Sequence, residues 1–266
     1  MKPIRPLLSA WPRLAKRMRA APRRVLLTDF DGTLVRIRRL PGDVRLSKAT
    51  RRLLVQIRDA GGTVGVVSGR GIEDLTRLVQ IPAIWYVGSH GYRLLDPRGR
   101  AFLLATPAEQ RRVQRAANWL RPRLARMNGI KLDVKRASVA VHYRAASPRT
   151  AGKAEAIVRG LLECEPGLRL LHGKKVWELL PGASVDKWTA VERLLAQEKV
   201  PEGYFAAYLG DDRTDESVFR GLQNGISAVV GRRSNTAARY WLQSTGEVRE
   251  FLRLWLNVER EEAGDQ

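Results

Sequence analysis

Short runs of consecutive apolar residues recur along this chain of 266 residues, and several of them end at polar or acidic side chains. A strand that is apolar at every position suits a parallel sheet buried on both faces, because a half-buried strand would alternate. Helical segments lie between the runs, and this order predicts right-handed parallel strand–helix–strand units. The predicted strands are Val25–Asp29, Thr63–Val67, Ile84–Val87, Ala206–Gly210 and Ser227–Val230, and the predicted helices lie at 47–60, 72–79, 187–197, 215–222 and 246–260.

The pattern changes between residues 106 and 181. Thr106 and Glu109 have the spacing of a helix capping box, and Ser147-Pro148 is typical of a second helix start. Half-buried strands alternate at 131–135, 138–143, 168–171 and 175–180. We therefore predict an α/β protein with a parallel, Rossmann-like core sheet and an inserted α+β cap. The expected organisation is a basic N-terminal extension at 1–24, a catalytic core at 25–105 and 182–266, and a cap at 106–181.

Residues 1–24 carry eight lysine or arginine side chains and no acidic one. Their apolar stretches are short and interrupted by Pro3, Pro6 and Pro12, a pattern typical of neither a signal peptide nor an anchor. We expect a mobile or loosely helical extension here. No apolar run in the chain approaches the roughly 20 residues of a membrane span. The single cysteine, Cys164, excludes an intrachain disulfide, and together these features predict a cytoplasmic protein without a membrane span.

The net charge of +21 includes 38 arginines among 48 basic residues. Such a charge suits either nucleic-acid binding or the steering of a phosphorylated substrate towards the protein. The arginines are scattered through every kind of segment, and no zinc-finger or ribonucleoprotein motif accompanies them. We therefore expect no specific nucleic-acid partner, and a basic binding protein remains the alternative class. The sequence gives no indication of the oligomeric state.

Asp29 and Asp31 stand at the end of the first predicted strand, followed directly by Gly32 and Thr33. Ligands of open parallel sheets bind beyond the carboxyl ends of the strands. Carboxylates two residues apart on an extended backbone point the same way, so one can attack phosphorus while the other exchanges protons with the oxygens. Taken alone, the pair is also compatible with an ordinary acidic turn.

Three further groups of residues favour the catalytic interpretation over an ordinary acidic turn. Ser68, Gly69 and Arg70 follow the second strand and offer a hydroxyl and a backbone amide suited to a phosphoryl oxygen. Lys187 begins the first helix after the insert, and the acidic run 210–216 ends the fourth strand. Several carboxylates at one sheet edge repel one another without a cation, and hard oxygen ligands favour Mg²⁺. The sequence therefore predicts a magnesium site that faces a phosphate.

This ordered set of motifs resembles the haloacid dehalogenase superfamily of phosphohydrolases, and the likeness extends from about Val25 to the C-terminal helix. The resemblance implies that Asp29 is the nucleophile and that Asp31 is the general acid and later the base. It also implies that Ser68 and Lys187 bind the transferring phosphate. Positioning and charge neutralisation would then supply most of the catalysis.

The same resemblance implies a ligand set for the metal ion. Mg²⁺ would be held by Asp29, by the main-chain carbonyl of Asp31 and by Asp211. Asp212 and Asp215 would support the ion. Of these two, Asp212 is also expected to be a ligand.

Within the superfamily, the chain resembles trehalose-6-phosphate phosphatases. The residues that carry this likeness are Gly88-Ser89-His90-Gly91, Asp133-x-Lys135, Ser138–Arg144, Trp177-Glu178 and the acidic run 210–216. The resemblance implies that the cap contacts the sugar hydroxyls and closes over the active site, because charged groups can make paired hydrogen bonds to a polyhydroxylated ligand. The implied sugar contacts are Asp133, Lys135, His142 and Glu178. His90, which follows the third strand, is compatible either with a structural turn or with a contact at the edge of the site.

Two departures from that family leave a second substrate class open. The family usually has glutamate where this chain has Asp133, and glycine where this chain has Trp188, which would place bulk near the phosphate. The expected activity is Mg²⁺-dependent hydrolysis of trehalose 6-phosphate through an aspartyl-phosphate intermediate. The alternative is a phosphatase for another phosphorylated sugar or glycoside. In both cases the expected partner is a small-molecule sugar phosphate.

Overall fold

The computed structural model describes residues 4–37, 44–173, 175–182, 185–231 and 233–264. The chain divides into two compact units, unit 1 (Met1–Phe102 with Asp186–Gln266) and unit 2 (Leu103–Val185). None of the described helices is long and apolar enough to span a membrane.

The strands and helices of the described residues are numbered in chain order. The strands are β1 (Arg5–Pro6), β2 (Arg24–Asp29), β3 (Thr63–Val67), β4 (Trp85–Gly88), β5 (Arg93–Leu95), β6 (Ala101–Leu103), β7 (Lys131–Val134), β8 (Val139–His142), β9 (Leu168–Gly173), β10 (Val176–Pro181), β11 (Phe205–Gly210), β12 (Gly225–Val230) and β13 (Tyr240–Leu242). The helices are α1 (Leu7–Arg19), α2 (Lys48–Asp59), α3 (Ile72–Val79), α4 (Pro107–Leu124), α5 (Pro148–Cys164), α6 (Lys187–Gln197), α7 (Glu216–Gly221) and α8 (Thr245–Gly264).

Unit 1 is built on a sheet with the strand order β1-β13-β12-β11-β2-β3-β4-β5-β6. The strands from β1 to β4 in this order pair in parallel, and β5 pairs antiparallel with β4. The central strands β3, β11 and β12 are buried at every residue, as expected for a parallel sheet covered on both faces. The predicted α/β fold class with a parallel core sheet is therefore confirmed.

The interpretation of residues 1–24 as a mobile extension is wrong. Leu7, Leu14 and Met18 of α1 are completely buried in the core of unit 1, and β1 pairs with β13. Trp11 meets Phe251 of α8 edge-on, with 5.3 Å between the ring centroids. The apolar residues recur at helical spacing, so they share one face while the basic residues occupy the other. The charge and prolines concealed this amphipathic pattern.

Unit 2 contains a four-stranded sheet with the order β7-β8-β10-β9, and its documented pairs are antiparallel. The predicted capping box of α4 is present, because the Thr106 side chain accepts from Glu109 N while the Glu109 carboxylate accepts from Thr106 N. Pro122 lies inside α4, which continues to Leu124. Both helices of the unit pack on one face of the sheet, where β8 and β10 contribute Val139, Val141, Trp177 and Leu179 to a shared core.

Candidate active site

Three aspartates of unit 1 converge at the carboxyl ends of two neighbouring strands. Asp29 ends β2, and Asp211 and Asp215 follow β11. These strands pair in parallel, so their carboxyl ends meet at one edge of the sheet. One carboxylate oxygen from each aspartate lies within 4.8 Å of the other two. This acidic group is therefore close enough to share a single cation.

Lys187 lies beside the acidic group as the first residue of α6. Its Nζ donates to Asp29 Oδ1 at 2.7 Å and to Asp215 Oδ1 at 2.6 Å. Burial alone would lower the pKa of Lys187, but the charges of Asp215 and Asp29 outweigh it and raise the pKa above its ordinary value. The side chain therefore remains an ammonium, and it holds the two carboxylates in fixed positions.

The acidic group carries more negative charge than one lysine can offset. Burial raises the pKa of Asp29 well above its ordinary value, and Asp215 and Asp211 add to the rise against the opposing effect of Lys187. Burial, together with Asp215 and Asp212, raises the pKa of Asp211 to about 6. A further cation would favour the ionised form of both groups.

The donor set fits a small, hard cation. Carboxylate oxygens are the ligands that Mg²⁺ prefers in proteins. Gly32 adopts a positive φ of 88°, and a Cβ there would overlap the carboxylate of Asp211. Glycine is therefore required for the two chain segments to approach closely. Asp29 and Asp211 are the residues that could hold the metal.

Asp215 is fully buried and ties the site together. Its Oδ2 accepts from the backbone amides of Asp211 and Asp212 at 3.0 and 2.9 Å. Its Oδ1 accepts from Tyr208 Oη and from Lys187 Nζ, each at 2.6 Å. This carboxylate fixes the turn after β11, and the motif alone did not reveal its link to a tyrosine in the strand.

Asp212, an expected metal ligand, points elsewhere. Its side chain is 64% exposed and lies 3.6 Å from Arg233, and its carboxylate also accepts from Arg213 N at 2.7 Å. The acidic group found among the described residues contains Asp215 in its place.

Asp31 is held by Arg70. The guanidinium donates from Nε to Asp31 Oδ2 at 2.5 Å and from Nη2 to Asp31 Oδ1 at 2.7 Å, and Nη1 donates to Asp74 at 2.9 Å. The Arg70 guanidinium also lies 5.6 Å from the centre of the Phe30 ring. Burial opposes ionisation of Arg70, but the hydrogen bonds and charges of Asp31 and Asp74 raise its pKa. We expected the segment from Ser68 to Arg70 to offer a hydroxyl and a backbone amide to phosphate. The structure commits the three side-chain nitrogens of Arg70 to carboxylates.

Ser68, Gly69 and His90 occupy the adjoining loops after β3 and β4. Ser68 is buried and follows Val67, the residue paired with Asp29 across the sheet. Its hydroxyl accepts from Arg70 N at 3.2 Å. The imidazole of His90 packs against Gly69 so closely that a Cβ at that position would overlap it. These residues therefore form one packed corner beside the nucleophile candidate.

The four predicted cap residues lie on one face of the unit 2 sheet. Ala140 of β8 pairs with Asp133 on one side and with Glu178 on the other, so these side chains share a face. His142 lies two residues beyond Ala140 and shares the face, because strand side chains alternate. The core residues Val139, Val141, Trp177 and Leu179 face the helices on the opposite side.

Glu178 is the centre of this group. Lys135 Nζ donates to Glu178 Oε1 at 3.1 Å, and the Ser138 hydroxyl donates to the same oxygen at 2.8 Å. Burial lowers the pKa of His142, although Asp133 opposes the shift. Sequence reasoning gave Ser138 no role, although its place between Lys135 and His142 was visible in the motif.

Trp188, which directly follows Lys187, packs its side chain against a neighbouring helix. Its indole packs on Gly221 of α7, where a Cβ would overlap the ring. With Leu195 and Tyr204 it lines a shallow cavity of about 370 Å³ along α6. The departure from the family glycine is thus absorbed by contact with a neighbouring helix.

Residues 27–245 match the family model for trehalose-phosphatase. The chain belongs to the trehalose-phosphatase family. It is 36% identical over 245 residues to a trehalose-phosphate phosphatase of Mycobacterium ulcerans, a match that covers 86% of this chain and 60% of that protein. It is 31% identical to a probable trehalose-phosphate phosphatase of Oryza sativa, over 88% of this chain and 69% of the relative. The chain thus spans about 60% of the mycobacterial relative's length.

Solved structures of trehalose-phosphatase family proteins have the same fold. The C-terminal domain of a Candida albicans trehalose-6-phosphate phosphatase superposes with a TM-score of 0.76 at 22% identity, over 96% of this chain and 98% of that one. An Aspergillus fumigatus trehalose-6-phosphate phosphatase gives a TM-score of 0.65 at 27% identity, over 93% and 97% of the two chains. The α/β architecture is therefore that of the family.

Proposed function

We propose that this chain hydrolyses trehalose 6-phosphate to trehalose and inorganic phosphate, with Asp29 as the nucleophile and Mg²⁺ as the cofactor. The observation that carries the proposal is the convergence of Asp29, Asp211 and Asp215 in unit 1, with the buried Lys187 paired to Asp29 and Asp215. Family membership supports the same reaction. The Mg²⁺-dependent covalent route is the one implied by the resemblance to the haloacid dehalogenase superfamily.

The first half of the reaction moves phosphate from the sugar to the protein. The Asp29 carboxylate forms a bond to phosphorus while the bond from phosphorus to the sugar oxygen breaks. Asp31, in its protonated form, gives a proton to that oxygen, so that the sugar leaves as an alcohol. In the structure Arg70 donates to both oxygens of Asp31, an arrangement that favours the carboxylate. One of these bonds must therefore open before Asp31 carries the proton, and the other keeps the side chain oriented for the transfer.

The second half regenerates Asp29. Water attacks phosphorus of the aspartyl phosphate, Asp31 takes the proton from that water, and inorganic phosphate leaves. Lys187 and the Ser68 hydroxyl would bind phosphoryl oxygens, and both lie buried at the sheet edge. Mg²⁺ held by Asp29, Asp211 and the main-chain carbonyl of Asp31 would neutralise charge that develops on the phosphoryl group.

Unit 2 would supply sugar recognition. Lys135, Glu178, Asp133 and His142 present donors and acceptors on one sheet face, which suits a ligand rich in hydroxyl groups. The lowered pKa of His142 favours a neutral imidazole at neutral pH, able to donate through one nitrogen and accept through the other. Residues 106–181 carry 16 basic and 6 acidic side chains, and this positive charge would attract a phosphorylated substrate.

Another phosphorylated sugar is the second candidate substrate. The carboxylate of Asp133 is one methylene shorter than the glutamate expected at this position, so its reach to a hydroxyl differs. The two candidates share the same chemistry in unit 1 and differ only in what unit 2 selects.

The test is phosphate release from a panel of sugar phosphates and simple esters, measured on the purified chain with Mg²⁺ and again with a chelator. We expect trehalose 6-phosphate to give a kcat/KM at least about 100-fold above that of generic esters, the discrimination that a few lost hydrogen bonds produce. Equal turnover of all sugar phosphates would reject the substrate assignment. Turnover unaffected by chelation would reject the metal.

A further inference from the structure

Tyr208 is a buried polar residue in an otherwise apolar stretch of β11. The residue is completely buried, and its ring meets Phe219 edge-on at 5.9 Å between centroids. A phenylalanine would fill the same space, and burying a hydroxyl is costly unless it forms a hydrogen bond. The Tyr208 hydroxyl therefore requires a hydrogen-bond partner inside the protein.

The hydroxyl joins the catalytic group through Asp215. It donates to Asp215 Oδ1 at 2.6 Å, and Lys187 Nζ donates to the same oxygen at 2.6 Å. Lys187 also donates to Asp29 Oδ1 at 2.7 Å. A continuous line of hydrogen bonds therefore runs from Tyr208 through Asp215 and Lys187 to the proposed nucleophile.

This arrangement lets two carboxylates share one ammonium. If Asp215 Oδ1 had only Lys187 as its donor, it would attract the ammonium more strongly and draw it away from Asp29. A second donor on that oxygen satisfies part of its charge and weakens this pull. The hydroxyl therefore helps to keep Lys187 between the two acids.

We infer that Tyr208 is a positioning residue, which acts through Asp215 and Lys187 to hold the Asp29 carboxylate in its attacking position. The inference rests on the proposed function, because it concerns the attack of Asp29 on phosphorus. Since Tyr208 acts on the nucleophile and not on the leaving group, its effect should be the same for a sugar phosphate and for an aryl phosphate.

The test compares Tyr208→Phe with Tyr86→Phe. Tyr86 is also a buried tyrosine of the same sheet, but its hydroxyl bonds to the backbone of Ile81. We expect Tyr208→Phe to lower kcat about tenfold on trehalose 6-phosphate and on p-nitrophenyl phosphate alike, which corresponds to about 1.4 kcal/mol in the barrier. KM should change less than about twofold, because the lost contact does not touch substrate. Tyr86→Phe should leave kcat unchanged.

The melting temperature of each variant separates positioning from folding. Tyr208→Phe with unchanged kcat overturns the inference, and so does a kcat loss of the same size in Tyr86→Phe. A loss confined to the sugar phosphate also overturns it, because that pattern indicates substrate recognition. A wild-type chain that hydrolyses the aryl ester but not trehalose 6-phosphate would reject the proposed substrate while leaving the Tyr208 comparison intact.

Discussion

The charged residues of unit 1 and those of unit 2 are held in different ways. In unit 1, the side chains of Asp29, Lys187 and Asp215 are 7%, 2% and 0% exposed, and each is fixed by short hydrogen bonds to the others or to the backbone. In unit 2, Lys135 and Glu178 pair on the sheet face opposite the helices, and their side chains are 24% and 10% exposed. The first group is preorganised for chemistry, whereas in the second Lys135 is partly exposed and the more buried Glu178 is held by Lys135 and Ser138.

The difference predicts that unit 1 carries out the attack on phosphorus and that unit 2 selects the sugar, and kinetics on different substrates can test this. A change to Asp29 or to the residues that hold it in unit 1 should affect every phosphate ester, because each ester requires the same attack on phosphorus. A change in unit 2 should affect only esters that carry the sugar. Paired measurements on trehalose 6-phosphate and p-nitrophenyl phosphate therefore test the comparison directly.

Asp29→Asn should have the largest effect. An amide is a very poor nucleophile, so we expect kcat to fall by at least about 10⁴-fold on both esters, the size seen when a member of a catalytic group is removed. Phosphate release measures this loss, and Asp59→Asn, at an exposed position of α2, provides the matched control. If the Asp29→Asn variant retained about a tenth of the activity, Asp29 would not be the nucleophile and the comparison of the two units would lose its basis.

Arg70→Gln should come next and should separate the two esters. Without the two bonds to Asp31, proton transfer to the sugar oxygen loses its orientation, and general acid catalysis is worth about 10²–10⁴-fold. We expect kcat/KM to fall about 100-fold on trehalose 6-phosphate and less than about fivefold on the nitrophenyl ester, whose leaving group needs no proton. Arg77→Gln, an exposed neighbour that pairs with Asp74, should behave as wild type. Equal losses on both esters would assign Arg70 to phosphate binding instead.

Lys135→Ala and Glu178→Gln should affect the sugar phosphate selectively, whereas Asp29→Asn affects both esters. Each should lower kcat/KM about 10- to 100-fold on the sugar phosphate, the cost of one or two charge-assisted hydrogen bonds. Kinetics on the nitrophenyl ester should change less than about threefold. Lys153→Ala on α5 is the control, since that side chain is exposed on a helix. Parallel losses on both esters would remove unit 2 from sugar recognition.

The smallest effect is a shift in stability with pH and metal. The folded-state pKa of Asp211, about 6, is above the unfolded value of about 3.9. The metal-free folded state therefore binds the extra proton, and this group's contribution to stability falls as pH rises from about 4 to 6. Saturating Mg²⁺ at pH 7.5 should raise the melting temperature by about 5 °C and do much less at pH 4.5.

Asp211→Asn is the control for that shift, because it removes both the titrating group and a metal ligand. Thermal unfolding followed by circular dichroism measures the effect. An equal Mg²⁺ response in the variant and the wild type would contradict the assignment of Asp211 to the metal.

The sequence was informative where local pattern and topology agree. Parallel strands bring their carboxyl ends to one edge of the sheet, so the sequence alone predicts that Asp29 and Asp211 lie near each other. Helix α6 begins at Lys187 and ends at Gln197 as predicted, because Asp186 caps it and its apolar residues recur at helical spacing.

Other features depended on contacts that no local pattern encodes. In the sequence, Tyr208 cannot be distinguished from the other residues of a buried strand. Its hydroxyl contacts Asp215 only because the turn after β11 brings the two side chains together. The bond between Arg70 and Asp31 joins residues 39 positions apart, and several partners were available to that arginine. The strand β13 is only three residues long and lacks a run long enough to predict.

Covalent capture of phosphate tests the central claim most directly. The purified chain with Mg²⁺ is mixed with trehalose 6-phosphate, quenched in acid within one turnover, digested and examined by mass spectrometry. The account predicts a phosphate adduct on the peptide that contains Asp29, absent from Asp29→Asn. Release of product in the first turnover without any adduct, or an adduct on a different residue, would contradict the assignment of Asp29 as the nucleophile.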